Sequence, residues 1–145
     1  MNLTLDANIW IGAVDPADSQ QRVCNDFLDE IALNKGISVC SPFLMEIEVL
    51  GSVARKFHNQ PDKINDARRR MRSLPRNNWF ALDNRLAAEA SHYAVKCRLR
   101  GADAVYVATA LSNNATLVTF DQEIIDRAST ALTVLKPDEW LKTRA

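Results

Sequence analysis

The chain has 145 residues, enough for one domain, and 47% of them are apolar, so a real core is available. Its 18 basic and 18 acidic side chains cancel, which excludes a wholesale polyanion binder judged on net charge but leaves room for a local basic face. No apolar stretch approaches the roughly 20 residues of a membrane span, and the start meets Asp6 with no basic leader region, so neither a membrane protein nor a secreted one is expected.

Leu3-Thr4-Leu5 reads as a short buried strand, followed by Asp6, Ala7, Asn8 and a second apolar run, Ile9-Trp10-Ile11. Asp15-Pro16-Ala17-Asp18-Ser19 is a turn, with Ser19 placed to cap a helix whose stripe is Val23, Phe27, Leu28, Ile31 and Ala32. Asn34-Lys35-Gly36 stops that helix, Gly36 standing where a left-handed cap is usual. Ile37 to Cys40 is a second strand. Ser41-Pro42 then opens a helix as hydroxyl cap and first-turn proline, with Phe43, Ile47, Leu50, Ala54 and Phe57 as its buried stripe. A polar helix follows from about Asp62 to Leu74, and Asn78 to Leu82 is a third strand. Asp83 caps the next helix, striped by Leu86, Ala90, Tyr93, Ala94 and Cys97; Gly101 separates it from another, Ala104 to Asn113. Ala115 to Phe120 is a fourth strand, Asp121 to Ala128 a short helix, Leu132 to Leu135 a weak fifth strand, and Pro137 starts a final helical turn.

Short strands alternating with helices predict crossover connections and an α/β fold of three layers, α/β/α, over a four- to five-stranded parallel sheet, with residues 1–145 as a single domain. Cys24, Cys40 and Cys97 form no CxxC pair or Cys/His cluster and read as reduced core residues of a cytoplasmic protein. His58 and His92 lack zinc-site spacing.

Sites in parallel sheets form at the carboxyl ends of strands, near the point where strand order reverses. Asp6 ends the first strand and Asp121 follows the fourth; Glu46 and Glu48 lie early in the helix after the second; Asp103 begins a helix. Any one of these, taken alone, reads as a helix cap or a dipole partner. Together they crowd one rim, where carboxylates raise each other's pKa unless a hard divalent cation neutralises them. Arg100 is the nearest basic residue and is placed to pair with Asp103. Glu46 and Glu48 stand about 200° apart on a helix, so only one can enter the cleft, and periodicity does not choose because both flank Ile47.

The stretches LTLDANIW, SPFLMEIEVLGSVARKF, RLRGADAVYVATA and LVTFDQEI, in that order, resemble a PIN-domain protein of the kind that serves as the toxin ribonuclease of VapBC toxin–antitoxin modules. The resemblance covers nearly the whole chain. It implies catalytic acids at Asp6, Glu48, Asp103 and Asp121, with Asp6, Asp103 and Asp121 as ligands of Mg²⁺ or Mn²⁺. Glu48 is selected over Glu46 by a proline followed six residues later by Glu-Val. Asn8 and Thr119 match the polar residues that orient the carboxylates. The implied activity is metal-dependent endonucleolytic cleavage of single-stranded RNA, leaving a 5′-phosphate and a 3′-hydroxyl. The implied partners are RNA, a second copy in a homodimer, and a cognate antitoxin that covers the cleft and inserts an arginine among the acids.

Eight basic residues fall between Arg55 and Arg76, opposed only by Asp62 and Asp66. Such a segment is either a solvated helix face or a footprint for a phosphate backbone; Arg68, Arg69 and Arg72 share a helix side and are the RNA-binding candidates. The segment is also suited to an acidic antitoxin tail or a symmetry mate. Two other readings compete. A non-catalytic RNA-binding or assembly PIN domain is disfavoured because all four acid positions are filled. A flavodoxin-like phosphoacceptor or phosphatase would need a lysine on a later strand, and none occurs between Lys96 and Lys136.

Overall fold

The computed structural model describes residues 1–145. The chain runs β1 (Asn2–Leu5), α1 (Ala7–Val14), α2 (Gln21–Leu33), β2 (Ser38–Pro42), α3 (Phe43–Lys56), α4 (Pro61–Ser73), β3 (Asn77–Phe80), α5 (Asn84–Lys96), α6 (Gly101–Ser112), β4 (Ala115–Val118), α7 (Gln122–Ala128), β5 (Val134–Leu135) and α8 (Pro137–Lys142). All five strands are parallel, in the order β3-β2-β1-β4-β5. β1 is therefore central, with Leu3 opposite Val39 of β2 and Thr116 of β4. Leu3, Thr4 and Leu5 are all fully buried although alternate residues of a strand face opposite ways, so both faces of the sheet are covered. α6 packs on β1, β2 and β4, while α1 gathers α2, α3 and α4 around itself. The α/β expectation holds. No helix is long and apolar enough to cross a membrane.

Four local expectations need correction, and one helix has no counterpart among them. The run Ile9-Trp10-Ile11 belongs to a helix, α1, which carries no polar stripe: Ala7, Ile9, Trp10, Gly12, Ala13 and Val14 are all buried. An element buried all round shows no 3.6-residue alternation to find. Gly12 is where α1 meets α2, for a Cβ there would lie 2.9 Å from Cys24 Sγ.

Ser19 does not cap α2; Gln20 holds the cap position, and Asp18 Oδ1 accepts from the Gln20 amide at 2.7 Å. Gly36 is not left-handed, since no glycine has positive φ. Instead Asn34 Oδ1 accepts the Gly36 amide at 3.0 Å, and the far-off Arg76 guanidinium donates to the carbonyls of Ile31, Ala32, Asn34 and Ile37. That one side chain satisfies carbonyls which the end of α2 leaves orphaned.

Ser41 lies inside β2, buried, and donates to Asn77 Oδ1 of β3 at 2.7 Å, so Pro42 rather than Ser41 precedes the helix. The buried stripe of α3 is Met45, Val49 and Val53, whereas Phe43 and Ile47 are 40% and 70% exposed. The helix is apolar on more than one side, and α1 and α4 take the other one.

Candidate active site

β1 and β4 are neighbours, and the chain leaves them in opposite directions across the sheet, so the switch point falls between Asp6 and Asp121. The Asp6 amide continues the ladder by donating to Val118 O at 3.0 Å. Asp6 stands at the N-cap of α1, yet its side chain caps nothing. Its Oδ2 instead accepts from Thr119 Oγ1 at 2.6 Å and from Asn8 Nδ2 at 3.1 Å. Asn8 Nδ2 also reaches Thr119 Oγ1 at 3.3 Å, and the Asp121 amide donates to that same hydroxyl at 2.9 Å. Thr119 thus ties the ends of β1 and β4 together. The capping explanation fits Asp121, whose Oδ1 accepts the amides of Glu123 and Ile124. It fails for Asp6.

Asp6 is 7% exposed, and burial pushes its pKa up from 3.8 to about 6, against the Thr119 hydrogen bond and with the Asp103 and Glu48 carboxylates adding to it. Asp103, on the first turn of α6, is also pushed to about 6, by burial first and then by Asp121, with Glu48 and Glu123 contributing and Arg100 opposing. Like charges on Asp6, Glu48, Asp103 and Asp121 therefore act on one another across the rim. The expected Arg100–Asp103 pair does not form as a contact; Arg100 bonds Glu123 at 3.3 Å, and Glu123 is shared with Arg127.

The two glutamates of α3 diverge. Glu46 accepts both Nε and Nη2 of Arg72, at 2.6 and 2.8 Å. Glu48 turns toward α6, where its Oε2 accepts the hydroxyl of Tyr106. Ile47 between them is exposed, so the flanking-residue argument could not decide. Tyr106 was missed in the sequence because an aromatic in an apolar run reads as core, although its position three after Asp103 puts both on one side of α6.

The donor set is all oxygen, which suits a hard divalent ion, and the buried Asn8 Oδ1 beside Asp6 has no partner. No three of these side chains stand at metal-ligating separation, so seating an ion takes side-chain rearrangement.

The basic segment is largely committed. Lys56 pairs with Asp15, Lys63 bonds Val14 O, Arg70 bonds Asn25 Oδ1, and Arg76 caps α2. Arg72 is held by Glu46 and lies over the rings of Trp79 and Phe43. Arg68 and Arg69 are exposed, and Arg69 contacts only Asp66 of its own helix.

The chain belongs to the PIN-domain family, whose model matches residues 3–129. Among solved structures it is similar to FitAcB from Neisseria gonorrhoeae, with 21% identity and a TM-score of 0.70 over 93% of this chain and 97% of that one. It is similar to VapC20 of Mycobacterium tuberculosis, a sarcin–ricin loop cleaving toxin, with 12% identity and a TM-score of 0.72 over 90% and 96%. VapBC-1 from nontypeable Haemophilus influenzae gives 18% identity and 0.69 over 95% and 99%. At these identities the likeness is one of fold. No curated protein matches the chain.

Proposed function

We propose that residues 1–145 act as one PIN unit: a divalent-metal-dependent endoribonuclease for single-stranded RNA, and the toxin of a VapBC-type toxin–antitoxin pair. The observation that carries this reading is the Asp6 carboxylate, buried without a cationic partner while Glu48 and Asp103 press on it with like charge. Such an arrangement is costly unless a cation is its normal occupant. Asp6, Asp103 and Asp121 would hold Mg²⁺ or Mn²⁺. When bound, the ion supplies charge neutralisation, a lowered pKa for a coordinated water and a grip on phosphate oxygens. Glu48 would ligate the ion or orient the attacking water, and Thr119 and Asn8 fix the Asp6 carboxylate through the hydrogen bonds given above. The products carry a 5′-phosphate and a 3′-hydroxyl.

Arg68 is free to meet the phosphate backbone; Arg69 would first have to leave Asp66, and Arg72 Glu46. The homodimer of this reading has an apolar surface available, a groove lined by Leu44, the 51% exposed Leu82, Ala87 and Ala94. The toxin assignment is supported by likeness to proteins described as toxins or solved as toxin–antitoxin complexes.

Purified Asp6→Asn and Asp121→Asn variants should lose Mg²⁺- or Mn²⁺-dependent cleavage of single-stranded RNA while keeping the circular dichroism of the parent. Parent-like cleavage by either variant rejects the proposal. Growth arrest on expression, relieved by the small DNA-binding protein of a neighbouring reading frame, tests the toxin half.

A further inference from the structure

We infer that Tyr106 is a positioning residue which holds Glu48 in the orientation facing Asp6. The inference rests on the nuclease reading and names a residue that reading did not include. Two observations meet at this side chain. Tyr106 is 1% exposed, so its hydroxyl must find its partner inside the protein. The partner is Glu48 Oε2, from a helix 58 residues away in sequence, and not a carbonyl of its own turn. Tyr106 therefore ties α6, the helix of Asp103, to the carboxylate of Glu48 on α3.

Glu48 has no other hydrogen bond, and a glutamate side chain left free in a cleft samples several rotamers. Burial, reinforced by Glu48, raises the phenol pKa, so Tyr106 stays a proton donor throughout the working pH range. A hydrogen bond to a carboxylate is stronger than a neutral one. It also leaves Glu48 Oε1 unengaged.

A tyrosine that merely satisfied its own hydroxyl would change stability and nothing else. A positioning residue must act through Glu48. Calorimetric titration with Mn²⁺ and RNA cleavage assays on wild type, Tyr106→Phe, Glu48→Gln and the double variant separate the two. Tyr106→Phe keeps the ring and removes only the donor. It should weaken Mn²⁺ binding about 10- to 100-fold and lower kcat with KM for RNA unchanged, as loss of a group supporting a metal site does. The double variant should be no worse than Glu48→Gln alone. Wild-type Mn²⁺ affinity in Tyr106→Phe, or effects of the two changes that add, would overturn the inference even if the wild type cuts RNA. Wild type that binds Mn²⁺ but cuts no RNA would reject the nuclease reading, while the Mn²⁺ comparison still decides the role of Tyr106. Wild type that does not bind Mn²⁺ contradicts both.

Discussion

Asp6 occupies a capping position without capping, and that has a thermodynamic consequence. Its folded-state pKa is raised, so the metal-free protein loses stability as pH climbs from 3.8 to about 6 and stays at the lower level above that. The penalty at neutral pH is at most about 3 kcal/mol, from roughly two pKa units. Asp6→Asn removes the charge, and its carbonyl oxygen can still accept from Thr119 and Asn8. In chelator at pH 7.5 that variant should melt above wild type, with the gap closing toward pH 4. Adding Mg²⁺ should raise the wild-type melting temperature and leave the variant unmoved; a variant that melts lower in chelator contradicts this account. Asp6, Asn8 and Thr119 were legible because a motif fixed them and the sheet brought them within hydrogen-bond reach. Glu48 was legible from motif alone, since helical periodicity was silent. The commitment of Arg72 to Glu46 was not legible, because a charge run does not say which of its members already have partners.

Among the elements, strands and their order of appearance could be read, but helix ends were set by distant residues. The stop of α2 is the case in point. A nearby glycine looked sufficient, yet the carbonyls go to Arg76, which itself adopts a left-handed φ of 57°. That conformation costs an L-residue roughly 1–2 kcal/mol, offset by four charge-assisted hydrogen bonds. Arg76→Ala should destabilise the fold by roughly 2–4 kcal/mol in urea unfolding. Arg76→Gly should cost less than Arg76→Ala, because glycine relieves the strain though it also loses the bonds. Equal losses would mean the strain is not real. The stripe of α3 was misassigned because two apolar faces compete, and only the helices it packs on, α1 and α4, choose between them. α1 carries no helical signature for the opposite reason, being buried on nearly every side.

Over the whole molecule, strand order does the assembling. Residues from positions 6, 48, 103 and 121 act on one another electrostatically because β1 lies between β2 and β4, which brings their segments to the same rim. The sequence pattern foretold a parallel sheet but not which strands adjoin, and adjacency turns scattered acids into one electrostatic unit. Net neutrality conceals this, since the acids gather on that rim while much of the basic segment is spent tying α1–α2 to α3 and α4. The most direct measurement is crystallographic: an anomalous difference map from Mn²⁺-soaked crystals. A peak should lie roughly 2 Å from carboxylate oxygens of Asp6 and of Asp103 or Asp121, and vanish in Asp6→Asn. Crystals that take up Mn²⁺ elsewhere, or leave these carboxylates without a peak at millimolar metal, would contradict a shared cation.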